Sequence, residues 1–482
     1  MIALLAAWLL LAIATPLPGQ VSPEQIADHQ RSAQEAEAHE DFETAVKEYE
    51  LLAQWLPKNG EVQSNLGVAL FFHHDFEKAA EVSRRAIALN QNLYTPHLFL
   101  GLALAHLSQP DAAAVELQKA IAINDKDPLA HIWLGYTYIE QSRFEAAAEQ
   151  LEIAGQAEPA NQDIWYELGQ CYLELGKAAI MRLCEVAPDG GRTWQLTGEQ
   201  LEAQGVSGKA LNAYIGALKR RPDIESLRAK ILAMGGSLPE SGQVVAGDTK
   251  QEDALYERVR EYGQKAKDAF ERVSQIDPDS YRAHQILGDS YMAADRFDDA
   301  IQEYKLVLQR NPDVPGIHGA LCNAMSRTGQ MIQEALKECE AAIAVAPYNS
   351  EAYVEAARVY LLAHDEARAE ILAEKALKLD RPPIGVYKLL GKLYLSQKQY
   401  QAAANALSKY LGVETNDSSA YYLLARAYKY TGNTQGMNQA IAAYKKTSAA
   451  AMNTSEAQKA LERPFRHNDE APGEGGQEEG KE

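Results

Sequence analysis

The sequence predicts an all-α fold, an array of short two-helix units repeated along almost the whole chain. Three observations predict it. A Leu-Gly pair recurs at intervals of 34 residues, an alanine pattern fills the second half of each interval, and a proline closes several intervals. A single unit of this size cannot bury its apolar face alone, so neighbouring units must stack against one another.

The recurring Leu-Gly pair marks the first helix of each unit. Gly67, Gly101, Gly135 and Gly169 lie 34 residues apart, and each follows a leucine. A glycine inside a helix costs about 1 kcal/mol relative to alanine, so its recurrence needs a packing reason, and close approach of two helices supplies one. Around these glycines a W-x2-L-G-x2-Y pattern occurs in full at Trp165–Tyr172. It occurs with one substitution at His131–Tyr138, His284–Tyr291 and Tyr387–Tyr394.

The second half of each unit has the form A-x3-(aromatic or Leu)-x2-A. Examples are Ala113-Leu117-Ala120, Ala147-Leu151-Ala154 and Ala210-Tyr214-Ala217. Proline is poor inside a helix and common after one, so it marks the turn to the next unit. The prolines that close units are Pro57, Pro159, Pro222, Pro278, Pro312 and Pro347.

These residues resemble the tetratricopeptide repeat, a helix-turn-helix unit of 34 residues. The resemblance covers nearly all of residues 26 to 451. It implies a right-handed α-α superhelix of about 11–12 units with an extended concave surface that binds proteins or peptides. The units begin at 26, 60, 94, 128, 162, 191, 247, 281, 315, 350, 384 and 418.

Three irregularities divide the predicted array. The unit at 162 is short, with a clipped second helix near Lys177 to Val186, and the unit at 315 gains one residue near Gln330. The third is a Gly/Pro/Ser-rich stretch at 235–250, after which the unit at 247 keeps only its second half. We therefore expect a leader at 1–20, arrays at 26–234 and 251–451 joined by a linker at 235–250, and a capping helix with a disordered acidic tail at 452–482.

Composition and motifs argue against an enzyme. The net charge of −20 excludes a broad non-specific nucleic-acid binder. No phosphate-binding loop, metalloprotease motif, nucleophile elbow or zinc spacing occurs. No segment of domain size remains outside the array, and a plain solenoid offers a groove instead of a pocket. We therefore expect no catalytic residues, no cofactor and no metal.

The first segment predicts export. Residues 2 to 14 are almost wholly apolar and uncharged, too short for a bilayer span but matching a signal-peptide core. Ala12 and Ala14 supply the small residues that a signal peptidase reads, although no Lys or Arg precedes the core. The predicted location is periplasmic or secreted. The alternative is a retained N-terminal anchor in contact with a membrane.

Cysteines and histidines fall mainly on repeat positions. Cys171 and Cys184 share one unit and Cys322 and Cys339 another, so each is either a buried small residue or half of an intra-unit disulfide. The fourth place of the units calls for a flat side chain packed between helices. It holds His29, His97, His131, His284 and His318. We expect packing there, not metal binding, and a solvated turn at His73-His74.

The concave face predicts two candidate binding surfaces. In this repeat family, the ninth place of each unit often points into the groove. At the N-terminal end it holds Val68, Leu102 and Tyr136, an apolar patch that either binds a partner or is covered by packing. Neighbouring places add Asn65, Phe71, Leu98, Ile132, Tyr166 and Leu173 to this patch.

At the C-terminal end the same place holds Asn323, Arg358, Lys392 and Arg426, with Lys388 beside them. These cations suit the carboxylates of an acidic segment. The alternative is an ordinary solvated face in which they pair with Glu351 or Glu355. The family's carboxylate clamp, with Lys and Asn at places 5 and 9, is missing at Gln30/Gln34 and Ser64/Val68.

The sequence therefore predicts a non-catalytic scaffold or adaptor that binds other proteins or peptides in the cell envelope. A membrane-tethered adaptor is the second reading. A helical-repeat hydrolase acting on envelope glycan is the third. Its carboxylates would be Glu199 and Asp289, and a separation of several units would keep them beyond the roughly 6.5–9.5 Å that inverting chemistry needs.

Overall fold

The computed structural model describes residues 21–203, 205–240, 249–314, 316–379 and 382–461, with side chains described as far as residue 448. Over these residues it contains 23 helices and no strand, which confirms the predicted all-α fold. Two compact units divide the chain, Met1–Gln141 (unit 1) and Ser142–Glu482 (unit 2). The predicted leader at 1–20 and tail at 463–482 lie outside the described residues, as do residues 241–248 of the predicted linker.

Unit 1 consists, in its described part, of three successive antiparallel helix pairs followed by a seventh helix. Its helices are α1 Pro23–Ala38, α2 Phe42–Trp55, α3 Gly60–Phe72, α4 Phe76–Leu89, α5 Tyr94–His106, α6 Pro110–Ile123 and α7 Pro128–Glu140.

Unit 2 begins with the helices α8 Phe144–Ala157, α9 Gln162–Val186, α10 Gly191–Ala203, α11 Ser207–Arg220, α12 Glu225–Ala233 and α13 Thr249–Ile276. It continues with α14 Tyr281–Ala293, α15 Phe297–Arg310, α16 Ile317–Thr328, α17 Ile332–Val345, α18 Ser350–Leu362 and α19 Glu366–Lys378. The last helices are α20 Gly385–Ser396, α21 Tyr400–Leu411, α22 Ser418–Thr431 and α23 Thr434–Leu461.

The residue before the first helix of many repeats caps that helix. Its side-chain oxygen accepts a hydrogen bond from a backbone N–H of the first turn, where no intrahelical acceptor exists. The capping residues are Ser22, Asn59, Asp127, Asn161, Ser280, Asn349 and Asp417. Short polar side chains at this register set where the repeats begin.

The turn between the two helices of a repeat uses one left-handed residue at the fifteenth place. Positive φ angles occur there at Glu40, His74, Ser108, Ser142, Asp295, His364 and Lys398, and at Gly205, Gly329 and Gly432. The repeat that begins at residue 162 is the exception. Its fifteenth residue is Gly176, which lies inside the continuous helix α9. The predicted separate helix from Lys177 to Val186 is therefore wrong, because the chain passes this place without turning.

The C-terminal half of helix α13 supplies the second helix that the repeat beginning at residue 162 lacks. In the regular repeats the glycine of the first helix packs on a second-helix side chain sixteen residues later, as Gly101 does on Leu117 and Gly288 on Tyr304. Gly169 instead packs on Phe270 of α13, and α9 and α13 contact each other extensively. The two halves of one repeat are thus separated in the chain by residues 187–248, whereas the sequence predicts two arrays joined by a linker at 235–250.

Two glycines of α9 test this arrangement. A Cβ atom on Gly169 would lie 2.5 Å from the Phe270 ring, whereas a Cβ on Gly176 would meet only Tyr262, at 3.8 Å. We expect Gly169→Ala to lower stability by about 1–3 kcal/mol through overpacking. Gly176→Ala should be neutral or raise stability by up to about 1 kcal/mol, because alanine favours a helix.

The measurement is the thermal unfolding midpoint of each variant by circular dichroism. A destabilised Gly176→Ala would mean that this glycine occupies a left-handed turn and that α9 is two helices, against the structure.

Candidate functional site

Helices α9 and α13 form an antiparallel pair, the crossover hairpin, whose two ends are built alike. The motif Asp-x2-Tyr-Glu occurs at Asp163 in α9 and again at Asp253 in α13. The chain leaves the C-terminal end of α9 into α10 and α11, and it leaves α13 into α14 and α15. The N-terminal half of each long helix therefore acts as the first helix of one repeat. Its C-terminal half acts as the second helix of the repeat that begins in the other long helix.

At one end of the hairpin, α14 packs on the N-terminal half of α9 through a polar network. Arg282 donates to Asp163 at 2.6 Å, and its guanidinium lies 4.4 Å from the ring centroid of Tyr166. The Tyr166 hydroxyl donates to Asp289 at 2.6 Å. Asp289 also accepts from Tyr304 of α15 at 2.7 Å, which ties the second helix into the same network.

At the other end, α10 packs on the N-terminal half of α13 through the equivalent contacts. Arg192 donates to Asp253 at 2.5 Å and lies 4.6 Å from the ring centroid of Tyr256. The Tyr256 hydroxyl donates to Glu199 at 2.5 Å. Each of these residues is offset by 90 from its counterpart at the first end. The two networks are therefore related by a pseudo-twofold axis through the hairpin.

A cavity of about 1230 Å³, the crossover cavity, lies between the two ends of the hairpin. The two matching helices face each other across it. Counterparts line it in pairs, namely Leu196 and Ile286, Glu199 and Asp289, Gln200 and Ser290, and Ala203 and Ala293. A plain solenoid would leave an open groove, so the crossover creates a pocket with convergent polar groups.

Glu199 and Asp289 both line this cavity although several units separate them in the sequence, because the inserted helix α10 packs on α13. Both carboxylates already accept hydrogen bonds, Asp289 from Tyr166, Tyr304 and Gln170, and Glu199 from Tyr256 and Gln195. Burial raises the pKa of Asp289 above its usual range despite these donors and the nearby Arg282.

The predicted N-terminal patch is largely buried within unit 1. Leu98 and Leu102 are each 3% exposed, and Phe71 and Ile132 are buried as well. Helix α5, which carries Leu102, contacts both α3 and α7. Val68 and Tyr136 are half-buried, and the ring of Tyr136 packs 5.9 Å from that of Trp133. Of the two alternatives that the sequence left open for this patch, the structure favours the second, because packing between the first helices of successive repeats covers most of it.

The predicted cations lie on first helices of successive repeats in unit 2. Arg358 is on α18, Lys388 and Lys392 are on α20, and Arg426 is on α22. Helix α20 contacts both α18 and α22, so these residues form one surface, here named the basic ladder. Asn323, the residue before them in the series, is half-buried on α16.

The four cations of the basic ladder differ in whether a carboxylate neutralises them. Lys388 pairs with Asp417. Burial alone would raise the pKa of Asp417, but the Lys388 ammonium and the surrounding hydrogen-bond donors hold this pKa well below its usual range. Arg358 pairs with Glu355 at 2.7 Å, one of the two alternatives that the sequence left open. Burial, with the positive charges of Lys388 and Arg358, lowers the pKa of Lys392. Lys392 and Arg426 have no ion pair within the described residues.

In several repeats that carry a histidine at the fourth place, this histidine contacts a glutamate of the second helix. An imidazole nitrogen of His97 lies 2.7 Å from Glu116, and His284 and His318 meet Glu303 and Glu338 in the same way. Within the described residues, no group of His, Cys, Asp and Glu side chains could hold a metal ion. In the same residues no helix is both long and apolar enough to cross a bilayer.

The cysteines behave differently in the two repeats that hold them. Cys322 and Cys339 are bonded as a disulfide between α16 and α17, with their Cα atoms 5.2 Å apart. Cys171 and Cys184 are free thiols, and burial raises the pKa of Cys171 to about 12. The two sequence alternatives, buried small residue and disulfide, are thus each realised once.

Models of the tetratricopeptide repeat match residues 31–94, 134–179 and 263–322. These stretches therefore carry tetratricopeptide repeats. One match ends inside α9 and the next begins inside α13, where the chain leaves and rejoins the repeat.

Three solved structures illustrate the likeness. The APC/C hetero-tetramer Cut9-Hcn1 is 16% identical over 92% of this chain and 97% of that chain, with a TM-score of 0.35. TTC0263, a thermophilic TPR protein from Thermus thermophilus, is 18% identical over 56% and 100%, with a TM-score of 0.33. YrrB, a TPR protein with an unusual peptide-binding site, is 19% identical over 41% and 88%, with a TM-score of 0.27. No curated protein sequence matches the chain.

The buried carboxylate of the crossover cavity predicts a pH dependence of stability. Because the pKa of Asp289 is raised in the folded state, the native protein binds a proton more tightly than the unfolded chain. Its stability therefore falls as pH rises through that range. Asp289→Asn does not ionise, so its unfolding midpoint should rise relative to that of the native protein as the pH increases above the ordinary aspartate range.

Thermal unfolding at several pH values checks this, with Asp298→Asn at an exposed position of α15 as the control. A difference that shrinks as pH rises would show that the tyrosine donors and Arg282 stabilise the carboxylate more than burial destabilises it.

Proposed function

We propose that this chain is a non-catalytic scaffold and that the basic ladder of unit 2 holds an acidic segment of a partner protein. The observation that carries the proposal is the position of Lys392 and Arg426, which are exposed on the adjacent helices α20 and α22 without an ion pair within the described residues. The lowered pKa of Lys392, caused by partial burial and by the charges of Lys388 and Arg358, agrees with this clustering of cations. A surface that brings like charges together is unfavourable until an anion joins them. Lys392 and Arg426 extend this surface from one repeat to the next.

Carboxylates of an extended or helical peptide would relieve this repulsion. Hydrogen bonds between ammonium or guanidinium groups and carboxylates are stronger than neutral ones. The remaining charges also steer the partner during association, a contribution that salt screens. Lys388 contributes less than the sequence suggests, because Asp417 already neutralises it.

A charge reversal at Lys392 and Arg426, the two residues of the basic ladder without an ion pair within the described residues, tests the proposal. Lys392→Glu/Arg426→Glu should weaken binding of a fluorescent twelve-residue Asp/Glu/Gly peptide at least about tenfold, because two attractive contacts become repulsive. Fluorescence anisotropy at low and moderate salt provides the dissociation constants, and native binding should weaken as salt rises.

Arg84→Glu/Lys378→Glu is the matched control, because it makes the same change in net charge at exposed positions of α4 and α19. Equal weakening by both pairs would reduce the effect to net charge and contradict the ladder. Affinity capture from native extract, with Arg358→Ala/Lys392→Ala/Arg426→Ala as the second bait, then identifies the partner that depends on it.

We further propose that the protein is exported. The apolar segment at residues 2 to 14 and the Cys322–Cys339 disulfide support this, since disulfides persist in oxidising compartments. The alternative is a tethered adaptor that keeps its N-terminal segment. N-terminal sequencing of the mature protein separates the two, because cleavage after Ala14 or nearby removes the apolar segment whereas an anchor keeps it.

Thiol counting checks the oxidation state that export implies. Protein isolated without reductant and then unfolded in an alkylating reagent should carry two alkylated cysteines, Cys171 and Cys184, and four if it is first reduced. Cys322→Ser should raise the unreduced count to three, because Cys339 loses its partner. Four thiols without reduction would place the chain in a reducing compartment and contradict export.

A further inference from the structure

The sequence beyond the described residues contains a run of charge opposite to that of the basic ladder. Residues 469–482, here named the acidic run, read DEAPGEGGQEEGKE and contain six carboxylates and one lysine. They contain no apolar residue larger than proline, so any contact that they make with the rest of the chain depends mainly on charge. The acidic run thus has the chemistry of the segment that the basic ladder is proposed to hold.

Two cations of the basic ladder are available to the acidic run. Lys392 and Arg426 are exposed on α20 and α22, which contact each other, and neither has an ion pair within the described residues. Packed helices lie about 8–10 Å apart, and an extended chain spans at most about 14 Å between residues four apart, such as Glu474 and Glu478. Two carboxylates of the acidic run can therefore meet both cations at once.

The chain that connects α23 to the acidic run is long enough to return to the ladder. Helices α22 and α23 form a hairpin that turns at Gly432, so Arg426 lies beside the first third of α23. About 22 residues of helix, or roughly 33 Å, then lead to Leu461, where the described chain ends. From Leu461, an extended chain reaches up to about 45 Å by Glu474. Helix α23 also contacts α10, so it stays against unit 2 instead of projecting away from it.

We propose that the acidic run occupies the basic ladder when no partner is bound and competes with the partner's acidic segment for it. This inference rests on the proposed function of the ladder and adds its regulation. Because the acidic run is part of the chain, its effective concentration at the ladder is on the order of millimolar, whatever the protein concentration. A partner must displace it, which favours segments with more negative charge or with further contacts to unit 2.

Neutral residues in the acidic run test the competition. The full chain with Glu474→Gln/Glu478→Gln/Glu479→Gln/Glu482→Gln should bind the fluorescent Asp/Glu/Gly peptide about tenfold more tightly than the native chain. This is the effect of removing a competitor that has an effective concentration of about 1 mM and a dissociation constant of about 0.1 mM. Fluorescence anisotropy at low salt provides the two dissociation constants.

A matched control separates competition from net charge. Glu50→Gln/Glu61→Gln/Glu145→Gln/Glu149→Gln makes the same change in net charge at exposed positions of α2, α3 and α8 and should leave peptide binding nearly unchanged. An equal gain in both variants would reduce the effect to net charge and overturn the competition.

The ladder variant distinguishes failure of this inference from failure of the proposed function. Equal dissociation constants for the native chain and the glutamine variant, both weakened by Lys392→Glu/Arg426→Glu, would overturn the competition and leave the ladder as a binding site. If Lys392→Glu/Arg426→Glu does not weaken peptide binding even in the glutamine variant, the proposed function fails, and the competition with it.

A zero-length carboxyl–amine cross-linker locates the acidic run directly. In the native chain, mass spectrometry should find Lys392 linked to a glutamate of residues 474–482, and an excess of the acidic peptide should suppress this link. An equal mixture of ¹⁵N-labelled and unlabelled chains shows whether the link lies within one chain. Links that combine both isotopes would assign the ladder to the acidic run of a second copy and overturn the proposal, as would the absence of the link.

Discussion

The packing of Phe270 on Gly169 is the contact on which the architecture of unit 2 depends. It places the C-terminal half of α13 where the second helix of an ordinary repeat would lie, although residues 187–248 intervene in the chain. The array can then continue from α13 into α14 as if nothing had been inserted. The remaining halves of the two long helices pair with each other and support α10 and α11 in the same manner. The contact between α9 and α13 therefore positions both the repeat that continues into α10 and α11 and the series that continues into α14 and α15.

This arrangement changes what a helical repeat protein can bind. Stacked repeats normally present an open groove, which suits extended or helical peptides. At the crossover hairpin two first helices, α10 and α14, line a partly open cavity that includes the counterpart carboxylates Glu199 and Asp289. The basic ladder lies elsewhere in the same unit, on α18, α20 and α22. Unit 2 thus contains a partly open cavity at the crossover hairpin and, on other helices, the basic ladder.

Local signals made the regular repeats predictable from sequence, and long-range pairing made the crossover unpredictable. The Leu-Gly pairs, capping residues and closing prolines act within a few residues of the structure that they specify. Gly176 misleads because glycine at the fifteenth place normally forms the turn, yet here it lies inside a helix. The recurrence of Asp-x2-Tyr-Glu at Asp163 and Asp253 was the available signal for the two equivalent ends. The pairing of Lys388 with Asp417, which caps the first helix of the next repeat, has no comparable signature.

The most direct test of the crossover hairpin is an engineered disulfide between α9 and α13. A Cβ atom at position 176 would lie 3.8 Å from that of Tyr262, which is the usual separation across a disulfide. In a Cys171→Ala/Cys184→Ala background, Gly176→Cys/Tyr262→Cys should oxidise readily, and mass spectrometry of non-reduced peptides should find the two positions linked. Gly176→Cys/Arg258→Cys, one helical turn away on the exposed side of α13, should not link efficiently. Absence of the 176–262 link under oxidising conditions would contradict the crossover and favour two arrays joined by a linker.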